Sequence, residues 1–180
     1  MLTGLIITVF AKRRPAPVNK VFGKLQIISS AWFALTHGAN DGQKTMGIIA
    51  LILFSAGLIP ELEIPLWVIF AAAAAMGLGT FFGGYKVIKT LGVKITRLRP
   101  YQGFAAETGG GLMLAAFAIL GIPASTTHAI TGTIMGAGAA RRKLAVRWKV
   151  SRQIVFSWII TIPGAAAMGI GFTYLIHLFV

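Results

Sequence analysis

The 180 residues are 56% hydrophobic and only 12% charged, and 17 lysines and arginines against 4 acids give a net charge of +13. A soluble globular domain carries about 25% charged residues, so this balance and its long apolar runs exclude an ordinary soluble domain and intrinsic disorder. The basic excess does not point to nucleic acid, because the lysines and arginines fall between the apolar runs, where cytoplasmic loops of membrane proteins carry them. With no cysteine in the chain, disulfides and thiolate metal sites are excluded.

Taken in order, residues 1–11 are apolar but too short to span a bilayer and are followed by basic residues, the reverse of a signal peptide. They read as the tail of a transmembrane helix that begins outside this chain. Residues 12–24 carry Lys12, Arg13, Arg14, Lys20 and Lys24 with Pro15 and Pro17, and form a basic loop placed in the cytoplasm. The stretch 25–59 is mostly apolar, yet as one helix it would run ~52 Å against a hydrocarbon core of ~30 Å. A broken transmembrane helix is therefore expected, with the interruption at Thr36-His37-Gly38-Ala39-Asn40-Asp41-Gly42-Gln43-Lys44. Residues 60–65 hold Glu61 and Glu63 but no Lys or Arg, and are placed outside.

Residues 66–84 form a second span, leading back to a basic loop over 85–99. Residues 101–140 are apolar or small except at Gly121-Ile122-Pro123-Ala124-Ser125-Thr126-Thr127-His128. Basic segments flank this stretch on both sides, so it enters and leaves on one side. A re-entrant hairpin of two half-helices meeting at Pro123-Ala124-Ser125 is preferred to two full spans. Residues 153–180 make a last span with Pro163 and Gly164 as a kink. No run shows the alternation of a lipid-facing strand, so the fold class is an all-α integral membrane protein, multi-pass in a cell membrane.

Irregular backbone at membrane depth is tolerated only where it lines a cavity or is buried in protein, so each polar break marks a candidate site. In the first, the glycines allow unwinding, Asn40 and Asp41 supply oxygens for a small cation or a polar solute, and Lys44 is a partner for the carboxylate. Asn40 or Asp41 would cap a following half-helix. In the second, Pro123 stops one half-helix, and Ser125, Thr126 and Thr127 start the next with three hydroxyls. Two such half-helix starts facing each other make an anion site. Structural roles stand beside these: an Asp41–Lys44 ion pair with no further task, hydroxyls as interhelical hydrogen-bond donors, and His37 and His128 as packing residues. Glu107, next to the flexible Thr108-Gly109-Gly110-Gly111, is either structurally paired or a coupling-ion residue. Gly132, Gly136 and Gly138 read as a packing face, and Trp32, Trp67, Trp148 and Trp158 as interface anchors. Neither a nucleophile–base pair nor a metal-ligand cluster is apparent, so an enzyme, a metal centre and a bound cofactor are not expected.

The segment Gly38-Ala39-Asn40-Asp41 resembles the signature of the inorganic phosphate transporter family, in the form found in the C-terminal half of bacterial low-affinity members. Pro123-Ala124-Ser125-Thr126-Thr127-His128, with Gly132 and Gly136 behind it, resembles that family's second signature. The resemblance covers the chain from Val18 onward and implies symport of inorganic phosphate, with or without a divalent metal, driven by protons or sodium. It further implies an alternating-access fold of two inverted repeats, of which residues 25–180 would be one transport half-domain. On this basis Asn40, Asp41, Lys44, Ser125, Thr126 and Thr127 are the expected phosphate-binding residues. Asn40, Asp41, Glu107, His37 and His128 are the candidates for the coupling ion.

Only one copy of each signature is present, so the partners expected are membrane lipid and a missing N-terminal half or separate half-chain, in an oligomeric state that is open. All basic loops fall on one face, which opposes an antiparallel homodimer and favours a truncated family member of a bacterial cytoplasmic membrane. An anion channel and a non-transporting structural subunit are the alternative functions.

Overall fold

The computed structural model describes residues 2–10 and 15–179, apart from the side chains of Pro15, Lys143 and Phe179. Lys12, Arg13 and Arg14 of the expected basic loop lie outside the described residues. Within the described residues six α-helices follow one another: α1 (Leu2–Val9), α2 (Pro15–Ser55), α3 (Leu66–Lys89), α4 (Pro100–Ile119), α5 (Thr126–Ala139) and α6 (Trp148–Phe179). A π-helical turn over Thr90–Ile95 extends α3, and a short 3-10 turn over Lys143–Ala145 precedes α6. The described residues contain no strand.

The expected break in the first long segment is absent. Helix α2 runs without interruption for 41 residues, ~61 Å at the α-helical rise. Gly38 and Gly42 stay helical, and among the described residues only Gly57 and Gly121 have positive φ. Instead of capping a new half-helix, the Asn40 side chain donates to the Thr36 carbonyl one turn back at 3.0 Å and to the Leu114 carbonyl of α4 at 3.2 Å. The polar stretch is thus a stripe on a continuous helix, satisfied from outside rather than by unwinding. The basic loops are also shorter than expected: Lys20 and Lys24 are in α2, Lys86 and Lys89 end α3, and Lys149 and Arg152 begin α6.

Contact with α4 is what holds α2 in place, and glycines decide its closeness. Gly103, Gly110 and Gly111 present bare backbone to Gln26, Phe33 and Trp32, and a Cβ added at Gly111 would lie 2.6 Å from the Trp32 indole. The stretch 108–111, expected to be flexible, is instead mid-helix, and its Gly110 and Gly111 are buried contact points. Small residues at such a seam let two helices approach until backbone and ring meet. Residue numbers rise together along both helices, so α2 and α4 run parallel. Of the glycines expected to pack in α5, only Gly138 does, against Thr96 and Val146; Gly132 and Gly136 have nothing within 4 Å of an added Cβ.

Helix α4 ends in a Schellman turn: Gly121, at φ 66°, donates its N–H to Ala118 O, and Ile122 donates to Phe117 O at 2.9 Å. Gly121 therefore stops the helix two residues before Pro123. Ser125 begins α5, its hydroxyl accepting from the His128 amide at 3.3 Å. The buried Gln102 side chain donates to Ala137 O at 2.9 Å and fixes the far end of the antiparallel α4–α5 hairpin. Its tip lies beside Lys44, about 11 residues or ~16 Å short of the end of α2. Helix α3 turns back along α2, with Val68 and Ala72 buried.

The apolar core sits at the end where the basic segments gather, formed by Ile95, Ala106, Ile134, Ala137 and Val146. A satellite of Ile6, Phe22 and Ala105 secures α1, with Phe22 and Phe104 rings 5.4 Å apart. Helix α6 is exposed along most of its length. Residues Leu66–Ile95 and Trp148–Leu178 are long and apolar enough to cross a membrane. Trp158 is not simply an anchor, because its ring contacts that of His128, with centroids 3.8 Å apart and planes tilted by 54°.

The glycine seam makes a paired prediction. Gly111→Ala places a methyl inside the Trp32 indole's space and is expected to cost about 1–3 kcal/mol. Gly109→Ala, whose Cβ would meet nothing within 4 Å, should be neutral or stabilising by up to about 1 kcal/mol. Thermal denaturation of the two variants in detergent checks this; equal melting temperatures would refute the seam.

Candidate functional site

The two polar stretches of the sequence meet where the hairpin tip reaches the middle of α2. Asp41 is the centre. Its Oδ1 lies 3.3 Å from Lys44 Nζ, one turn on along the same helix. Its Oδ2 accepts a hydrogen bond from Thr126 Oγ1 at 2.9 Å and lies 3.4 Å from His37 Nε2, one turn back. Lys44 reaches across as well, donating to the Ala124 carbonyl in the hairpin tip. These contacts follow from helical spacing: positions 37, 41 and 44 fall on one face because three- and four-residue steps return to the same side. A face of this kind needs no unwound backbone to present its side chains together.

Side-chain exposures of 39%, 32% and 38% for His37, Asp41 and Lys44 leave the cluster reachable. On one flank, Asp41, Gly42 and Thr45 share a cleft with Ala71, Ala72 and Ala75 of α3, whose small side chains leave the carboxylate room. On another, Asn40, Gln43 and Lys44 face Gly121 and Pro123 at the tip. The cluster combines a carboxylate, an ammonium, an imidazole, a hydroxyl and the amide-rich start of α5. That set can hold a small cation on oxygens and an anion on donors.

The remaining candidates have distinct positions. Asn40, 5% exposed, spends its amide donor on α2 and α4 backbone and acts as a brace. Ser125 caps α5 and Thr127 does not join Asp41. Thr127 lines a neighbouring cavity of about 460 Å³ together with His37, Glu107, Gln26 and Phe33, so His37 stands between the Asp41 cluster and this cavity. Glu107 is held at its rim, Oε2 accepting from Ser29 Oγ at 2.6 Å and Oε1 from Gln26 Nε2 at 3.3 Å. His128 faces the other way, onto Trp158.

Sequence reasoning missed Gln26 and Ser29, which sit inside what looked like a plain apolar run. Their three-residue spacing on one helix face was the available signal. It also missed Gln102, whose side chain accepts from the Arg99 amide at 3.0 Å while donating to Ala137. Among the described residues no group of three or more His, Asp or Glu side chains could hold a metal ion.

Comparison with known proteins bears directly on this arrangement. The sequence profile of the phosphate transporter family matches residues 5–169. A Rhizobium meliloti protein named "Probable low-affinity inorganic phosphate transporter" is 50% identical over 167 residues, covering 92% of this chain and 50% of the relative. A Bacillus subtilis protein of the same name is 41% identical over 170 residues, covering 94% of this chain and 51% of the relative. A solved structure titled "The sodium-dependent phosphate transporter" is 33% identical, with a TM-score of 0.72 over 88% of this chain and 41% of that one. The chain thus spans about half the length of the curated relatives it matches. These relatives are named as transporters, not enzymes, and with the two apolar helices they mark a membrane protein. By its matched residues and its helical architecture, the chain belongs to the phosphate transporter family.

Proposed function

We propose that this chain forms one half of a multi-pass secondary carrier that symports inorganic phosphate with a cation, proton or sodium, across a cell membrane. The observation that carries the reading is the convergence of Asp41 with Thr126 and, through Lys44, with the Ala124 carbonyl at the start of α5. Phosphate is drawn to this place by the free amides and positive dipole end of α5, the Thr126 hydroxyl and the Lys44 ammonium. Asp41 opposes it. A carboxylate about 4 Å from an anionic oxygen costs about 4 kcal/mol at an effective dielectric constant near 20.

That opposition supplies the coupling. With Asp41 ionised, Lys44 is held between its carboxylate and the Ala124 carbonyl, so its charge is already spent. A cation bound at Asp41, or a proton on it, removes the repulsion and releases Lys44 toward phosphate. Affinity for phosphate then depends on the cation, and by linkage the reverse holds. The sodium named for the structural relative favours sodium as the partner, with the carboxylate, hydroxyl and carbonyl oxygens of this cluster as hard ligands. Glu107 and His37, on the adjoining cavity, form a second polar station for the same ion.

The hairpin tip ends beside Lys44 and not beside the outer end of α2, which supports a re-entrant hairpin. The open sides of the Asp41 cluster suit closure by a second, inverted half, so substrate would be occluded between the two. Cysteines introduced at Lys24, Arg97 and Arg141 should then label from one side of the membrane and one at Glu61 from the other. Labelling of Arg97 and Arg141 positions from opposite sides would refute the hairpin.

Transport itself tests the site in the complete carrier, expressed in cells lacking other phosphate uptake. Asp41→Asn retains size and the Thr126 hydrogen bond, so the protein should fold and reach the membrane while cation-driven uptake falls at least about 100-fold. This is the scale of 2.7 kcal/mol in a binding or coupling term. Lys44→Gln should raise the phosphate KM about tenfold or more while the fold survives. Normal uptake and unchanged ion dependence in Asp41→Asn would reduce the Asp41–Lys44 contact to a structural ion pair.

A further inference from the structure

We propose that the end of the bundle opposite Glu61 and Glu63 is a docking platform for anionic lipid headgroups. Two segments distant in sequence build it. The stretch after α3 carries Lys94, Arg97 and Arg99, and the link between α5 and α6 carries Arg141, Arg142 and Arg147, all six exposed. They are brought together by the backbone: the Arg147 amide donates to the Ile95 carbonyl at 2.8 Å, and Gly138 lets Thr96 and Val146 close on α5. Beneath them lie the buried Ile95 and Val146, so the platform rests on the apolar core and its spacing is fixed.

Among the described residues, none of these six cations has an acidic partner. The four acids of the chain are Asp41, Glu61, Glu63 and Glu107. Asp41 is engaged with His37, Lys44 and Thr126, and Glu107 with Gln26 and Ser29. Glu61 and Glu63 are in the turn at the far end of α2. Among the described residues, ion pairs are confined to Asp41. The charge of the platform is therefore available to an external anion.

Position and an apolar tip identify that anion as lipid. Both helical stretches long and apolar enough to cross a membrane, Leu66–Ile95 and Trp148–Leu178, end or begin in this platform, so its cations lie at headgroup level. Leu144, 94% exposed, projects from the link between Arg142 and Arg147, and Val93, 51% exposed, stands beside Lys94. Exposed apolar side chains set among unpaired cations fit a surface that is anionic outside and hydrocarbon within, whereas free phosphate offers them nothing. Each cation near an anionic bilayer contributes roughly fivefold in partitioning.

The test uses the complete carrier carrying L144C, labelled with an environment-sensitive fluorophore, in nanodiscs of phosphatidylcholine with or without phosphatidylglycerol. Phosphatidylglycerol should shift the emission to the blue, and rising potassium chloride should reverse the shift in this otherwise unaltered protein. Replacing Arg97, Arg141, Arg142 and Arg147 with Gln should abolish the shift, while replacing them with Lys should keep it, since the attraction is to charge and not to a bidentate geometry. The same emission in both lipids, or a shift insensitive to salt, would overturn the proposal. So would a shift produced by inorganic phosphate in detergent, which would assign the platform to the free anion.

Discussion

A carboxylate at the middle of a long, mostly apolar helix is the constraint around which this fold is arranged. Asp41 carries a charge that hydrocarbon would penalise by roughly 2.5–3.5 kcal/mol on insertion scales, and α2 itself offers only His37 and Lys44 to offset it. The third partner, Thr126, comes from the hairpin. It arrives there because α4 lies against α2 at glycine contacts, because Gly121 reverses the chain, and because Ser125 starts α5 at the level of Asp41. Removing any of these would leave the carboxylate with partners from one helix only. Helix packing and site chemistry are in this sense one problem.

Much of this was legible in the residues. The lengths of the apolar runs placed the helices, and the two polar stretches meet across 85 positions. The capping hydroxyl of Ser125 and the pairing of Asp41 with Lys44 follow from spacing alone. What spacing could not decide was whether Gly38 and Gly42 unwind. Glycine permits both states, and the choice rests on tertiary partners: Leu114 O accepts from Asn40 and Thr126 donates to Asp41, so the polar side chains are satisfied with the helix intact. The glycines of α4 were misread for the same reason. A run of three reads as flexible until Trp32 and Phe33 are seen against it.

The distribution of acids divides the molecule into functional levels. Two acids mark the turn after α2, two lie inside at the Asp41 cluster and the Glu107 cavity, and the opposite end is purely basic. Such a gradient suits the one-sided orientation, the headgroup contact and the coupling proposed above. The chain spans about half the length of the relatives it matches.

Linkage between the two ligands is the most direct measure of the central claim. Phosphate binding to the purified complete carrier, followed by isothermal titration calorimetry at a series of sodium concentrations and at acidic and neutral pH, reports it without transport. The account predicts that one of these cations tightens phosphate at least about fivefold, the lower edge of ordinary coupling free energies. It also predicts that phosphate tightens the cation by the same factor. A phosphate affinity independent of both sodium and pH would contradict the idea that Asp41 couples the two.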